Sequence, residues 1–79
     1  MTTQPDAANL VAARALVADI FERPAAEIPD DLSIQSEPAW DSLNHVRIIM
    51  ALEEHRGRPL ESEVIASLST LQAIARAVA

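Results

Sequence analysis

Seventy-nine residues make one domain near the small end of what folds unaided, and a 49% hydrophobic composition supplies a modest core, thinned by the many alanines. The absence of Cys excludes a disulfide framework, a thiolate zinc site and a thiol nucleophile, and it is compatible with a reducing cytoplasm. Twelve Asp and Glu against six Arg and no Lys give a net charge of −6, which argues against nucleic acid and anionic membrane surfaces as partners and favours proteins with basic docking surfaces.

The segment Met1-Thr2-Thr3-Gln4-Pro5-Asp6 lacks the basic and apolar regions of a signal peptide, and no apolar run approaches a membrane span. Residues 1–5 are expected to be a flexible N-terminus to a single domain spanning 1–79. Asp6, after Pro5, suits a helix N-cap. Leu10, Ala13, Val17 and Ile20 recur at helical spacing, widened by Leu16 and Phe21, and predict a first helix from about Ala7 to about Glu22. Arg23-Pro24 stops it, because the residue before Pro disfavours the helical region.

The stretch from Pro24 to Ala39 holds three prolines, Asp30, Asp31, Ser33 and Ser36, which is loop chemistry. Ile28, Leu32 and Ile34 pin it to the core. A loop this long in so small a domain points to function. The second helix is expected from about Ser42 to about His55, with Asp41 as its N-cap, a role that Ser42 also suits. Leu43, Val46, Ile49 and Met50 share one broad apolar face, of which Val46, Ile49 and Met50 are expected to be core first, and Ile48 and Leu52 extend the apolar surface around the back. Gly57 ends this helix and Pro59 prevents its return.

A brief helix is expected near Glu61 to Ala66. Ser69-Thr70-Leu71-Gln72 then matches a capping box, with Ser69 as N-cap, and opens a last helix carrying Leu71, Ile74, Ala75 and Val78 inward. The fold class is all-α: a small four-helix bundle with a long loop between helices 1 and 2 and a short third helix.

Trp40-Asp41-Ser42-Leu43 sets one hydroxyl, Ser42, at the first turn of the second helix. The first N–H groups of a helix lack internal partners and its dipole is positive there, so an anion attached to that hydroxyl is favoured. Ser42 otherwise reads as a plain first-turn serine, Asp41 as a cap, and Trp40 as a packing anchor for the loop. Catalysis is disfavoured: an activated serine needs a base held by a third group, and nothing in the sequence orients His45, three residues along the helix. Both His45 and His55 read as surface residues, with no partners spaced to make a metal site. Glu53 and Glu54 read as solvated helix acids first and docking acids second.

Trp40-Asp41-Ser42-Leu43, Ile28-Pro29-Asp30-Asp31-Leu32, Ala51-Leu52-Glu53-Glu54-His55 and the stretch from Leu60-Glu61 through Ile74 together resemble the acyl carrier protein family over roughly Leu10 to Val78. The resemblance implies that a phosphopantetheinyl transferase, supplying Mg²⁺, moves 4′-phosphopantetheine from coenzyme A onto Ser42. It implies a phosphoprotein whose arm holds an acyl or aminoacyl unit as a thioester and presents it to a loading enzyme and a downstream synthase or transferase. It also implies docking contacts at Asp41, Leu43, Asn44, Arg47 and Glu54, no catalytic residue of the chain's own, and a cytoplasmic monomer.

The chain departs from the fatty-acid carriers in having Trp40 where Gly is usual, Asn44 and Arg47 where acids are usual, and Arg56 where an aromatic residue is frequent. The Gly-Gly-x-Ser form of peptidyl carriers is absent. A stand-alone carrier of a specialised pathway is therefore expected, for a polyketide, aminoacyl, glyceryl or related unit; Met1 and the compact ends favour this over a piece of a megasynthase. The alternatives are a carrier-shaped interaction module that is never modified and a helical regulator phosphorylated at Ser42, with a helix-turn-helix DNA reader more distant still because of the charge.

Overall fold

A computed structural model describes residues 7–78. The Asp6 cap and the flexible stretch 1–5 lie outside the described residues. Four helices follow in chain order: α1 (Ala7–Phe21), α2 (Ser42–Arg56), α3 (Ser62–Ser67) and α4 (Leu71–Val78), with a single 3₁₀ turn at Ala25–Glu27. The architecture is the expected small helical bundle with a long connection between its first two helices. Among the described residues no helix is long and apolar enough to cross a membrane.

Helix α1 buries Ala13, Val17, Ala18 and Phe21 and packs most extensively on α4, which buries Leu71, Ala73, Ile74, Ala75, Ala77 and Val78. Small alanines on both faces allow a close approach, so much of the thin core is made where two short helices meet. Helix α1 ends one residue before the expected Glu22, which adopts the left-handed region at φ 57°. The Glu22 and Arg23 N–H groups then donate back to the carbonyls of Asp19 and Ala18, closing the last turn before Pro24. Gly57 closes α2 in the same region at φ 75°, with its N–H and that of Arg58 both on the Glu53 carbonyl.

Helix α2 turns the other way from the sequence expectation. Ile48 and Leu52 are wholly buried, whereas Leu43, Val46 and Met50 are 59%, 51% and 63% exposed and Ile49 is half-buried. At about 100° per residue the helix carries two apolar stripes on roughly opposite sides, and hydrophobicity alone does not choose between them. The choice falls to the connection: Trp40 lies over His45 and the Arg56 side chain folds inward at 8% exposure, so His45, Ile48, Leu52 and Arg56 form the covered face. Arg56 thus fills the inward end of the helix with its stem; its guanidinium reaches Glu61 only at 3.7 Å, and its Nε is buried without a hydrogen-bond partner among the described residues.

The long connection is fastened along its whole course. Ile28, Leu32 and Trp40 are buried. Arg14 of α1 donates to the Ile28 carbonyl at 3.0 Å and pairs with Asp30. Arg23 grips Glu37 with two bonds of 2.7 and 2.6 Å, and the same carboxylate accepts the Ala39 N–H. Toward α4, the Ile34 N–H donates to the Ser69 carbonyl and the Leu71 N–H to the Leu32 carbonyl, framing an isolated antiparallel bridge between Ser33 and Thr70. That bridge corrects the expected capping box. With Ser69 committed to the loop, Thr70 is the residue whose hydroxyl accepts the Ala73 N–H at 3.1 Å, and Gln72 reaches instead to the Asp30 carbonyl.

Helix α3 begins one residue later than expected. It has no fully buried residue and is held by its flanks, Leu60 and Leu68. Glu53 contributes to this: its carboxylate accepts the Leu60 N–H at 3.0 Å, so it is half-buried rather than solvated, whereas Glu54 is exposed.

Candidate functional site

The start of α2 is built from the last residues of the connection. Asp41 is extended at φ −92° and its carboxylate accepts the Asn44 N–H at 2.8 Å, the expected cap. Asn44 donates its own amide to the Ala39 carbonyl at 2.8 Å and accepts from Arg47 at 3.2 Å, which ties the incoming strand of chain to the first turn. Ser42 is the first residue of the helix; it is exposed, and among the described residues its hydroxyl has no hydrogen-bond partner. With the third N–H of the helix taken by Asp41, those of Ser42 and Leu43 remain without intrahelical acceptors.

Leu43 and Arg47 are exposed beside Ser42. Together with Val46 and Met50 they make an apolar stripe edged by one cation; the exposure of Leu43 is as the resemblance implies, and that of Val46 and Met50 departs from the expected core. Glu54 lies twelve residues along the helix from Ser42, about 18 Å at 1.5 Å per residue, so the fold does not bring it to the serine.

The feature that sequence reasoning missed is a bond between Trp40 and His45. The Trp40 indole N–H donates to His45 Nδ1 at 3.0 Å, and the rings lie 6.2 Å apart and 29° from parallel. The indole is anchored in turn against Phe21, 6.4 Å away. His45 is therefore oriented after all, and is half-buried rather than a surface residue. No local pattern signals a Trp–His pair bridging a helix cap; both residues had separate plausible readings. Ile34, Trp40, Asp41, Ser42, His45 and Val46 line an open groove of about 520 Å³ beside the serine hydroxyl.

An exposed, unbonded hydroxyl on the first turn of a helix, at the lip of an open groove, has the access and the freedom that a bulky ester requires. A match to the family described as a phosphopantetheine attachment site covers residues 12–78. The chain belongs to this family of acyl-carrier-type proteins. It is a carrier whose prosthetic group is covalent 4′-phosphopantetheine, and such a carrier interacts with a modifying transferase and with biosynthetic enzymes. No curated protein matches the carrier.

Proposed function

We propose that Ser42 is the residue that carries the arm. The observation that carries this assignment is the position of its hydroxyl: exposed, without a partner among the described residues, and on the first turn of α2 beside both the groove and the exposed stripe of Leu43, Val46 and Met50. The bound group supplies a terminal thiol that holds an acyl or aminoacyl unit as a thioester. The chain's own residues present it: Asp41 and Asn44 fix the start of α2, and Leu43, Val46 and Met50, edged by Arg47, offer an apolar docking surface, with Asp41, Asn44 and Glu54 as further polar contacts.

His45 does not make Ser42 a nucleophile. A general base needs a free lone pair, and the Nδ1 lone pair is engaged by the Trp40 N–H. The carrier is accordingly a substrate of its partners and has no catalysis of its own; the transferase activates the hydroxyl, whose oxygen attacks phosphorus as the nucleotide portion of coenzyme A leaves. Arg47 and Asn44 in place of acids make α2 less suited to a purely basic partner surface, which favours a specialised pathway of polyketide or related type in the cytoplasm.

The chain has no Cys, so loading creates its one thiol. Incubation with coenzyme A, Mg²⁺ and a broad-specificity transferase is expected to add one phosphopantetheine by intact mass and one thiol per chain by colorimetric titration, with the adduct mapping to Ser42. Ser42→Ala is expected to gain neither, while its unfolding free energy stays within about 0.5 kcal/mol of the parent. A Ser42→Ala variant that still loads would remove Ser42 from this role.

A further inference from the structure

The groove beside Ser42 has one polar wall and one apolar wall, and the Trp40–His45 bond decides what the polar wall offers. An indole N–H only donates, so the Nδ1 it meets at 3.0 Å carries a lone pair. The neutral imidazole then keeps its proton on Nε2, and the ring presents a donor rather than an acceptor on the edge away from Trp40. The ring is held against the indole, which is itself 3% exposed and packed on Phe21. Residues three apart on a helix place their Cβ atoms about 5–6 Å from one another, so His45 stands next to Ser42 on the same side of α2.

An anionic ester on Ser42 is favoured by such a donor. The Asp41 carboxylate occupies the Asn44 N–H and adds a negative charge at the helix start, which offsets part of the dipole there. Among the described residues, the N–H groups of Ser42 and Leu43 and the His45 Nε2–H are donors left open on this side of the helix start. Beyond the polar wall, the groove continues over Ile34, the little of Trp40 left uncovered and the half-exposed Val46. The arm has the matching order of chemistry: a phosphodiester first, then a carbon bearing two methyl groups.

We propose that His45 and Trp40 form a seat for the first segment of the arm, with His45 Nε2–H donating to the phosphodiester on Ser42 and the geminal methyls packing against Trp40, Ile34 and Val46. This seat rests on Ser42 being the attachment residue. The tether names the occupant, because an arm on Ser42 begins at the groove's own wall. Seating the first segment limits the directions in which the distal thiol sweeps.

The test is NMR of the isolated phosphopantetheine-loaded protein, with no partner enzyme present. The geminal methyl resonances are expected to show nuclear Overhauser contacts to the Trp40 ring and Val46 methyls, and long-range ¹H–¹⁵N spectra to show His45 protonated on Nε2. In His45→Gln the ³¹P resonance is expected to shift and those contacts to be lost; in His55→Gln both stay as in the parent. Val46→Ser alters an exposed position, so the fold is kept, and it is expected to weaken the methyl contacts while leaving the ³¹P resonance in place. Methyl groups with no contact to Trp40 in the loaded parent, an Nδ1-protonated His45, or a ³¹P resonance indifferent to His45→Gln would overturn the seat. A chain that gains no phosphopantetheine on Ser42 overturns the attachment assignment itself, whereas a chain that loads there without those contacts overturns the seat alone.

Discussion

Asp41 holds the α2 start by a single carboxylate–amide bond of 2.8 Å, and that bond sets the geometry of the residue beside it. Asp41→Ala is expected to cost on the order of 1 kcal/mol in thermal or urea unfolding, and Asp41→Asn a fraction of that, because the amide oxygen still accepts the Asn44 N–H. This cap was legible in the sequence, as was the accessible serine after it, because capping is a local matter of residue type and position. The orientation of His45 was not. It depends on Trp40 being pressed down by Phe21, a residue nineteen positions earlier in the chain, and no short-range rule connects them.

At the scale of elements, α2 separates what pattern tells from what packing decides. Helix limits followed from Gly57, Pro59 and the cap, and the structure ends the helix within a residue of the expected place. The inward face did not follow, because Leu43, Val46 and Met50 are as apolar as Ile48 and Leu52. Ile48→Ala is therefore expected to cost about 2–5 kcal/mol in chemical denaturation, while Val46→Ala stays within about 0.5 kcal/mol. Reversal of that order would mean that the helix is turned the other way. Arg56 belongs to the same face and its burial is poorly compensated, with Nε unpartnered and Glu61 at 3.7 Å. Replacing it by Met keeps the stem and removes the charge; the melting temperature is expected to rise, by roughly 4–8 °C for each 1 kcal/mol or so gained.

For the whole molecule, an acidic chain places two of its six arginines where they close the long connection. Arg14 on α1 and Arg23 just past its end both bind it, at Asp30 and at Glu37. The Arg23 guanidinium, and after it the Ala39 N–H, hold the Glu37 carboxyl below its ordinary 4.5, and Glu61 is lowered likewise by its own backbone N–H and then by Arg56. A carboxylate lowered in the folded state adds stability that is complete above its unfolded value and is lost as pH falls through the lower, folded one. Stability is thus expected to drop on the acid side, below about 4.5. Glu37→Gln should lower the melting temperature at neutral pH, by roughly 4–8 °C, and the gap to the parent should narrow toward about pH 3. An equal gap at both ends would show that the pair adds nothing through its charge.

The four-helix order and the pinned loop were readable because Ile28, Leu32 and Ile34 stand out as apolar among loop residues. The bridge between Ser33 and Thr70 was not, since it joins segments that meet only in the finished fold, and it moved the α4 cap from Ser69 to Thr70.

Trp40 is the chain's single tryptophan, and there is no tyrosine. Emission excited at the red edge of the aromatic band therefore arises from one indole, bonded to an imidazole and set next to Ser42. A group placed on Ser42 is expected to alter the surroundings of that fluorophore, and the rate of its gain is then open to stopped-flow measurement without a dye.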